Sequence, residues 1–248
     1  MGIFGRRKAT AAPEPEQVEA VTETAPPGEP GVDRDWERRF DGPYDVSERP
    51  DIEGRVDLGA LRVPAVRGME LRLDVEKETG RVVGVTCGIA GSNLQLQAFA
   101  APRSSGLWLD IRREIAEGVR KTGGSAEMVD GFFGTELLCR LPGRAPDGRV
   151  AIQPARFIGV DGPRWFLRAV VHGPAAVDQT TMAPLVKVIR EVVVVRGDEP
   201  RPPREVLALT PPKQVVEAFA RRAAARKAAE AAQGASGGAP NQEGGTPA

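Results

Sequence analysis

The chain has 248 residues, enough for one domain of ordinary size with tails or for two small domains. Its 34 Lys and Arg balance 34 Asp and Glu, so net charge does not require a polyanionic partner, and a single His excludes chemistry that needs several imidazoles. Glycine and proline are abundant, with 29 and 22 residues, which indicates that part of the chain lies outside a packed core.

Composition divides the chain into four segments. Residues 1–49 include an acidic stretch with few large apolar side chains and are predicted to be disordered. Residues 50–210 carry the apolar patterns and are predicted to form a single domain. A basic, Ala-rich helix is expected over residues 211–232, and a disordered tail over residues 233–248.

Cellular location is inferred from what the sequence lacks. No apolar run approaches the ~18 residues that a membrane span needs, and no secretory signal is visible at the N-terminus. The chain is therefore expected to be cytoplasmic and to make no membrane contact. In that compartment Cys87 and Cys139, which lie in apolar strand patterns, are predicted to be buried, reduced thiols.

Alternating patterns predict a group of antiparallel strands. Residues 69–75 place apolar side chains at odd positions and charged side chains at even positions, which is typical of a half-buried strand. Residues 81–87 follow a turn that contains glycine and complete a hairpin. Further strands are predicted over residues 93–99, 126–129, 135–141, 150–160 and 164–171.

Two segments change to the helical period. Apolar residues spaced four apart from Leu107 to Val119 predict an amphipathic helix, with Ser104 or Ser105 as its N-cap. A second helix is predicted over residues 182–190 and leads into a closing strand. Because the strands come in groups with few helices between them, the pattern favours an α+β fold in which helices pack against an antiparallel sheet.

Several segments carry a resemblance to a known family. Residues 99–108, residues 156–168 and residues 192–197 with the Pro-Arg-rich stretch after them resemble an actinobacterial family known as domain of unknown function 3710. The likeness covers about residues 35–210. It implies a lineage only, because the family has no established activity, cofactor or catalytic residue. The order of the predicted elements is also similar to the small Mog1/PsbP-type α+β architecture, and fold alone does not determine function.

The available residue types limit the chemistry of the chain. A structural zinc site needs four Cys or His ligands, and the chain offers only Cys87, Cys139 and His172, so no zinc site is expected. A carboxylate site for a hard cation stays open from sequence, but no EF-hand pattern is present, and neither a metal nor a cofactor is expected. His172 ends a predicted strand and is interpreted as a partly exposed turn residue. No catalytic motif is found and the chain is predicted not to be an enzyme, although a site built from carboxylates stays open until Asp and Glu can be grouped in a fold.

One group of arginines and tryptophans has the composition of a recognition surface. Its members are Arg103, Trp108, Arg164, Trp165 and Arg168. Guanidinium groups hold carboxylate or phosphate through two-point contacts, so this group predicts a binding or adaptor domain for a protein or a small anionic partner. In the alternative interpretation both tryptophans fill the core, and the arginines stack over aromatic rings or pair with Asp110 and Asp161.

A basic cluster in the predicted C-terminal helix supports a second hypothesis. Its members are Arg221, Arg222, Arg226 and Lys227. The cluster is either the solvated side of a helical tail or a contact for nucleic acid. Nucleic-acid binding of this kind weakens steeply as salt rises, because it depends on the release of counterions.

Overall fold

The computed structural model describes residues 41–103, 106–144 and 149–236, and within these ranges it has eleven strands and three α-helices. The strands are β1 (Tyr44–Asp45), β2 (Arg55–Asp57), β3 (Leu61–Pro64), β4 (Glu70–Val75), β5 (Val82–Ile89), β6 (Ser92–Ala100), β7 (Ser125–Gly131), β8 (Gly134–Arg144), β9 (Val150–Gly162), β10 (Trp165–His172) and β11 (Val193–Val194). The helices are α1 (Trp108–Lys121), α2 (Gln179–Glu191) and α3 (Lys213–Ser236), and one 3₁₀ turn, Pro174–Ala176, precedes α2.

The strands form two sheets. The main sheet has seven antiparallel strands in the order β4-β5-β6-β10-β9-β8-β7, and the small sheet has the order β1-β11-β3-β2. β6 and β10 pair along their whole length at the middle of the main sheet, with Phe99 opposite Phe166. In the small sheet β1 and β11 run parallel, and the other pairs are antiparallel. This pairing, with helices packed against the sheets, confirms the predicted α+β fold.

β10 shows how the core is divided between the two faces of the main sheet. Trp165 and the alternate residues that follow it are buried against α2 and the small sheet, whereas Phe166 packs under α1. Successive side chains of a strand point to opposite faces, so one strand contributes to both cores. The smaller core centres on Trp108 of α1, whose ring lies 6.1 Å from that of Phe166.

Most elements lie where the sequence predicts them. β4 to β10 overlap the seven predicted strands, and α1 and α2 overlap the two predicted helices. α2 starts earlier than predicted because Asp178 caps it, accepting the backbone N–H of Thr181 at 2.9 Å. Cys87 and Cys139 are fully buried free thiols, as predicted, and burial raises the pKa of Cys87 to about 12.

The N-terminal boundary of the domain lies earlier than composition predicts. Residues 41–49, expected to be disordered, instead join the fold, because β1 pairs with β11. Asp45 of β1 also accepts a hydrogen bond from the indole Nε1 of Trp165 at 2.8 Å. The acidic stretch of the N-terminus lies outside the described residues, which begin at Asp41.

The C-terminal part of the domain joins the main sheet before α3 begins. Arg204 donates its backbone N–H to Ala100, and Ala100 donates to Glu205, both at 2.8 Å. Leu209 makes a similar bond to Val82. Residues 204–209 thus pair with the end of β6 and with the first residue of β5.

α3 differs from its predicted bounds at both ends. It starts at Lys213 and continues to Ser236, so the first residues of the predicted disordered tail are helical. Phe219 of α3 packs against the larger core, which fixes the first turns of the helix to the domain. Residues 237–248 lie outside the described part of the chain.

A buried ion pair connects β8, β9 and the 3₁₀ turn. Arg156 donates from Nη1 to Glu136 and from Nε to the carbonyl of Ala176, both at 2.9 Å. Glu136 is fully buried and also accepts the backbone N–H of Phe133 at 3.3 Å. Burial raises the pKa of Glu136, and the hydrogen bond and positive charge of Arg156 act in the opposite direction.

Candidate functional site

The two tryptophans of the candidate recognition group are buried in the core. Trp108 is 1% exposed and donates from Nε1 to the carbonyl of Thr135 at 2.7 Å. Trp165 is 0% exposed and donates to Asp45. Neither indole offers surface to a partner. Both tryptophans fill the core, as the alternative interpretation predicts, and only the three arginines of the group remain available for binding.

Arg168 lies apart from Arg164. Its side chain is on the face of the main sheet where α1 contacts β7, β8 and β9. Its guanidinium stacks over the ring of Phe99, 5.2 Å from the centroid, and donates to Gln97. Burial lowers the pKa of Arg168. Four residues of strand separate it from Arg164, a distance of about 13 Å. Because its guanidinium is stacked on Phe99 and bonded to Gln97, Arg168 is not counted with the arginines near the end of β6.

Two arginines flank the end of β6 in left-handed backbone conformations. Arg164 has a φ of 64° in the β9–β10 turn, and Arg204 has a φ of 70° in the segment that pairs with β6. The carbonyl of Arg164 accepts the N–H of Ala101 at 2.9 Å, and the N–H of Arg204 donates to Ala100. This conformation is unfavourable by about 1–2 kcal/mol for residues with a Cβ, so both positions favour glycine on backbone grounds.

The charges at this end of the sheet are only partly balanced. Arg204 pairs with Glu114 at 2.7 Å, and Arg201 pairs with two glutamates at 3.0 Å. Arg164 forms no ion pair with any residue that the structure describes. Arg103 follows β6 by three residues and is exposed. Two guanidinium groups near the end of β6 are thus available to an anion.

Arg196 is a buried arginine close to Arg164 and Arg201. It is 9% exposed, and its Nη1 donates to two backbone carbonyls at 3.2 and 2.8 Å, while Nε has no partner in the described structure. Burial lowers the pKa of Arg196, and the positive charges of Arg164 and Arg201 lower it further, partly offset by nearby carboxylates. The arginine cluster is defined here as Arg164, Arg196, Arg201 and Arg204.

Asp161 fixes the β9–β10 turn to the start of α1. Its Oδ1 accepts the N–H of Leu107 at 2.7 Å, and its Oδ2 accepts the N–H of Trp108 at 3.2 Å. Burial raises the pKa of Asp161, and the two backbone N–H groups oppose the shift. A carboxylate distant in sequence therefore caps α1, whereas the predicted caps Ser104 and Ser105 lie outside the described residues.

Similarity to a protein family covers most of the chain. The family model described as "Protein of unknown function (DUF3710)" matches residues 42–218. The chain belongs to this family. A search of curated proteins finds no match. The matched range includes β1 to β11 and the whole arginine cluster, and it ends within α3.

A search of solved structures finds the solution structure of cyanobacterial PsbP (CyanoP) from Synechocystis sp. PCC 6803. The two chains are 14% identical, and the match covers 56% of this chain and 91% of that chain with a TM-score of 0.35. The α+β assignment of the present chain rests on its own strand pairing.

The basic cluster of the C-terminal helix lies on α3. Arg221 and Arg222 are exposed, while the side chains of Arg226 and Lys227 lie outside the described part of the chain. No helix in the described ranges combines the length and apolarity of a bilayer span. The same ranges contain no group of three His, Cys, Asp or Glu side chains arranged to hold a metal ion.

His172 is half-buried at the end of β10, opposite Asn93 of β6. Burial lowers the pKa of this imidazole below the ordinary value of 6.5. We therefore expect its NMR titration midpoint in the folded protein to lie below 6.5, and that of the denatured chain to lie near 6.5. Because folding lowers the pKa of His172, its neutral imidazole contributes stability above pH 6.5. That stability is lost as the pH falls through the pKa of the folded protein.

The measurement is simple because the chain has a single His, so one imidazole signal reports the site. A His172→Gln variant should lose this part of the dependence of unfolding free energy on pH. A folded midpoint at or above 6.5 would contradict the structural assignment.

Sequence reasoning missed three members of the arginine cluster. Arg196, Arg201 and Arg204 lie in the segment that carries the family resemblance, and the sequence pattern itself assigns them no role. Three arginines within nine residues were the available signal. Their connection to Arg164 depends on the pairing of that segment with β6, which is a tertiary contact.

Proposed function

We propose that the protein is a non-enzymatic binding or adaptor domain whose arginine cluster, with Arg103, holds a carboxylate or phosphate of a protein or small anionic partner. The main support is Arg164. It occupies a turn position that favours glycine, and it lacks an acidic partner within the described residues. A residue with a Cβ in this strained conformation, whose side chain has no acidic partner, suggests a role in function.

The charge arrangement supports the same conclusion. Burial lowers the pKa of Arg196, and the positive charges of Arg164 and Arg201 lower it further, partly offset by Glu205 and Asp198. An anion placed between Arg164 and Arg196 would reduce that repulsion and would accept charge-assisted hydrogen bonds. The backbone contacts of Arg164 and Arg204 with the end of β6 position both residues before the partner arrives.

We further propose that the domain works in the cytoplasm of an actinobacterium. The sequence resembles an actinobacterial family, and the two free, buried thiols of Cys87 and Cys139 suit a reducing compartment.

The key variant is Arg164→Gly. We expect the variant to bind its partner about tenfold or more weakly, because a hydrogen bond to a charged group contributes about 1.5–3 kcal/mol. Its free energy of unfolding should stay the same or rise by about 1 kcal/mol, because glycine relieves the left-handed strain. Urea denaturation measures the second quantity. This combination separates a binding role of the side chain from a structural role.

The partner is to be identified by affinity capture of the tagged protein from lysate of its source organism, with and without nuclease. The proposal expects a stoichiometric partner that survives nuclease and is lost with Arg164→Gly. In a matched variant, glutamine replaces the four basic residues of the helix, Arg221, Arg222, Arg226 and Lys227. If nuclease or this variant removes all captured material while Arg164→Gly does not, nucleic-acid binding through α3 replaces the proposal.

A further inference from the structure

A groove of about 820 Å³ lies between β4 and α3, away from the arginine cluster. One wall consists of the consecutive residues Gly68 to Leu73, and the other contains Val216, Phe219, Ala220 and Arg222. Its volume falls within the range of ~300–1,000 Å³ that is typical of binding sites. Most of the side chains that line it are apolar.

The β4 wall offers main-chain groups as well as side chains. β4 is the outermost strand of the main sheet and pairs only with β5 among the described strands. Alternate residues of a strand face opposite sides, so six consecutive lining residues mean that the groove borders the edge of the strand and not one of its faces. Such an edge carries unpaired N–H and C=O groups that can template another strand.

β4 itself is continuous along this edge. The register shift between Asp74 and Val75 skips Val83 of β5, so the extra residue lies on the inner strand. The regular pairs of β4 from Glu70 onward overlap the stretch that lines the groove.

Three charged residues line the groove, namely Glu70, Arg72 and Arg222. The guanidinium of Arg72 donates to Asn93 of β6, two strands away, so it is directed across the sheet and not into the groove. Arg222 of α3 is exposed and forms no ion pair within the described ranges, and Val216 on the same wall is 43% exposed. This wall fits a segment with apolar residues at alternate positions and an acidic residue that faces Arg222.

We propose that this groove binds an extended, partly acidic segment of a partner protein, which adds to the main sheet as a strand beside β4. Main-chain hydrogen bonds to the strand edge would supply affinity, and the apolar lining would select alternate side chains. A peptide can pair with the backbone N–H and C=O groups of the edge, whereas a lipid or small apolar molecule would leave them to water.

The test uses the full chain and random dodecapeptides displayed on phage. Enriched peptides should alternate apolar residues and carry an acidic residue. A synthetic copy should slow hydrogen exchange of the β4 amides by about tenfold or more. Enriched peptides that protect other amides, or a selection that enriches no sequence, would overturn the proposal.

Matched variants locate the peptide on the protein. Val216→Glu places a charge in the groove wall at a half-exposed position and should weaken binding by about tenfold. Val177→Glu is the control, because Val177 is 57% exposed and lies outside the groove, so affinity should change less than about twofold. Equal effects of the two variants would contradict the assignment of the site.

Two further measurements separate this proposal from the alternatives. Arg164→Gly should leave peptide affinity unchanged, so the groove and the arginine cluster can fail independently. Sedimentation of the chain alone tests the other occupant, a second copy. Concentration-dependent dimers that protect the β4 amides and disappear with Val216→Glu would replace the partner peptide by self-association.

Discussion

Glu136→Ala is expected to lower the free energy of unfolding by about 3–5 kcal/mol, the largest effect of any single substitution considered for this protein. The variant removes the carboxylate that neutralises Arg156 and leaves a buried guanidinium with an uncompensated charge. It also removes the acceptor for the N–H of Phe133. Because domains are stable by only about 5–15 kcal/mol, the loss should be visible in urea denaturation as a clear drop in midpoint.

Two controls show whether charge or packing causes the loss at Glu136. Glu136→Gln keeps an acceptor for Arg156 and should be less destabilising than Glu136→Ala. The double variant Glu136→Leu with Arg156→Met removes both charges and should recover much of the stability, because apolar pairs of similar volume often replace buried ion pairs. If Glu136→Ala changes the unfolding free energy by less than about 1 kcal/mol, the pair is not the buried contact described here.

Gly159→Ala is expected to destabilise the protein by about 3 kcal/mol through steric overlap. A Cβ at Gly159 would lie 2.2 Å from Cδ2 of Trp108. The indole has little freedom to move, because its Nε1 donates to Thr135 and its ring lies beside Phe166. The added methyl group must therefore displace α1 or β9. Denaturant unfolding followed by tryptophan fluorescence measures the loss.

Gly118→Ala is the matched control for this substitution. Gly118 lies within α1, and a Cβ there meets nothing within 4 Å. Alanine should raise the free energy of unfolding by about 0.5–1 kcal/mol, because glycine destabilises a helix interior. Opposite signs for the two glycine substitutions are the expected result, and a loss of equal size at both positions would rule out the contact with Trp108 as the cause.

The main sheet and the first two helices could be predicted from sequence because their periods are long enough to recognise. β6 alternates over nine residues, β10 is an apolar run of eight residues with one wholly apolar face, and α1 repeats its apolar positions through four turns. β1, β2 and β3 have two to four residues, too few to show alternation. Their pairing depends on partners far along the chain, so local pattern does not reveal the small sheet.

The candidate site could be predicted only in part, because the sequence shows the residue types but not how the fold brings them together. Arginine as a recognition side chain pointed to Arg164, but its left-handed backbone and its repulsion of Arg196 arise from tertiary structure. Asp161 could be recognised as a turn residue from the glycine and proline that follow it. Its bonds to the first amides of α1 depend on the approach of two distant segments.

Pairing of β1 with β11 delays completion of the fold during synthesis. Asp45 leaves the ribosome early, yet its contact with Trp165 joins residues 120 positions apart, and Tyr44 has no strand partner until Val193 has been made. Contacts between such distant residues slow folding, because the long intervening loop must close first. The first strand of the domain therefore stays exposed to chaperones and proteases until almost the whole domain has been translated.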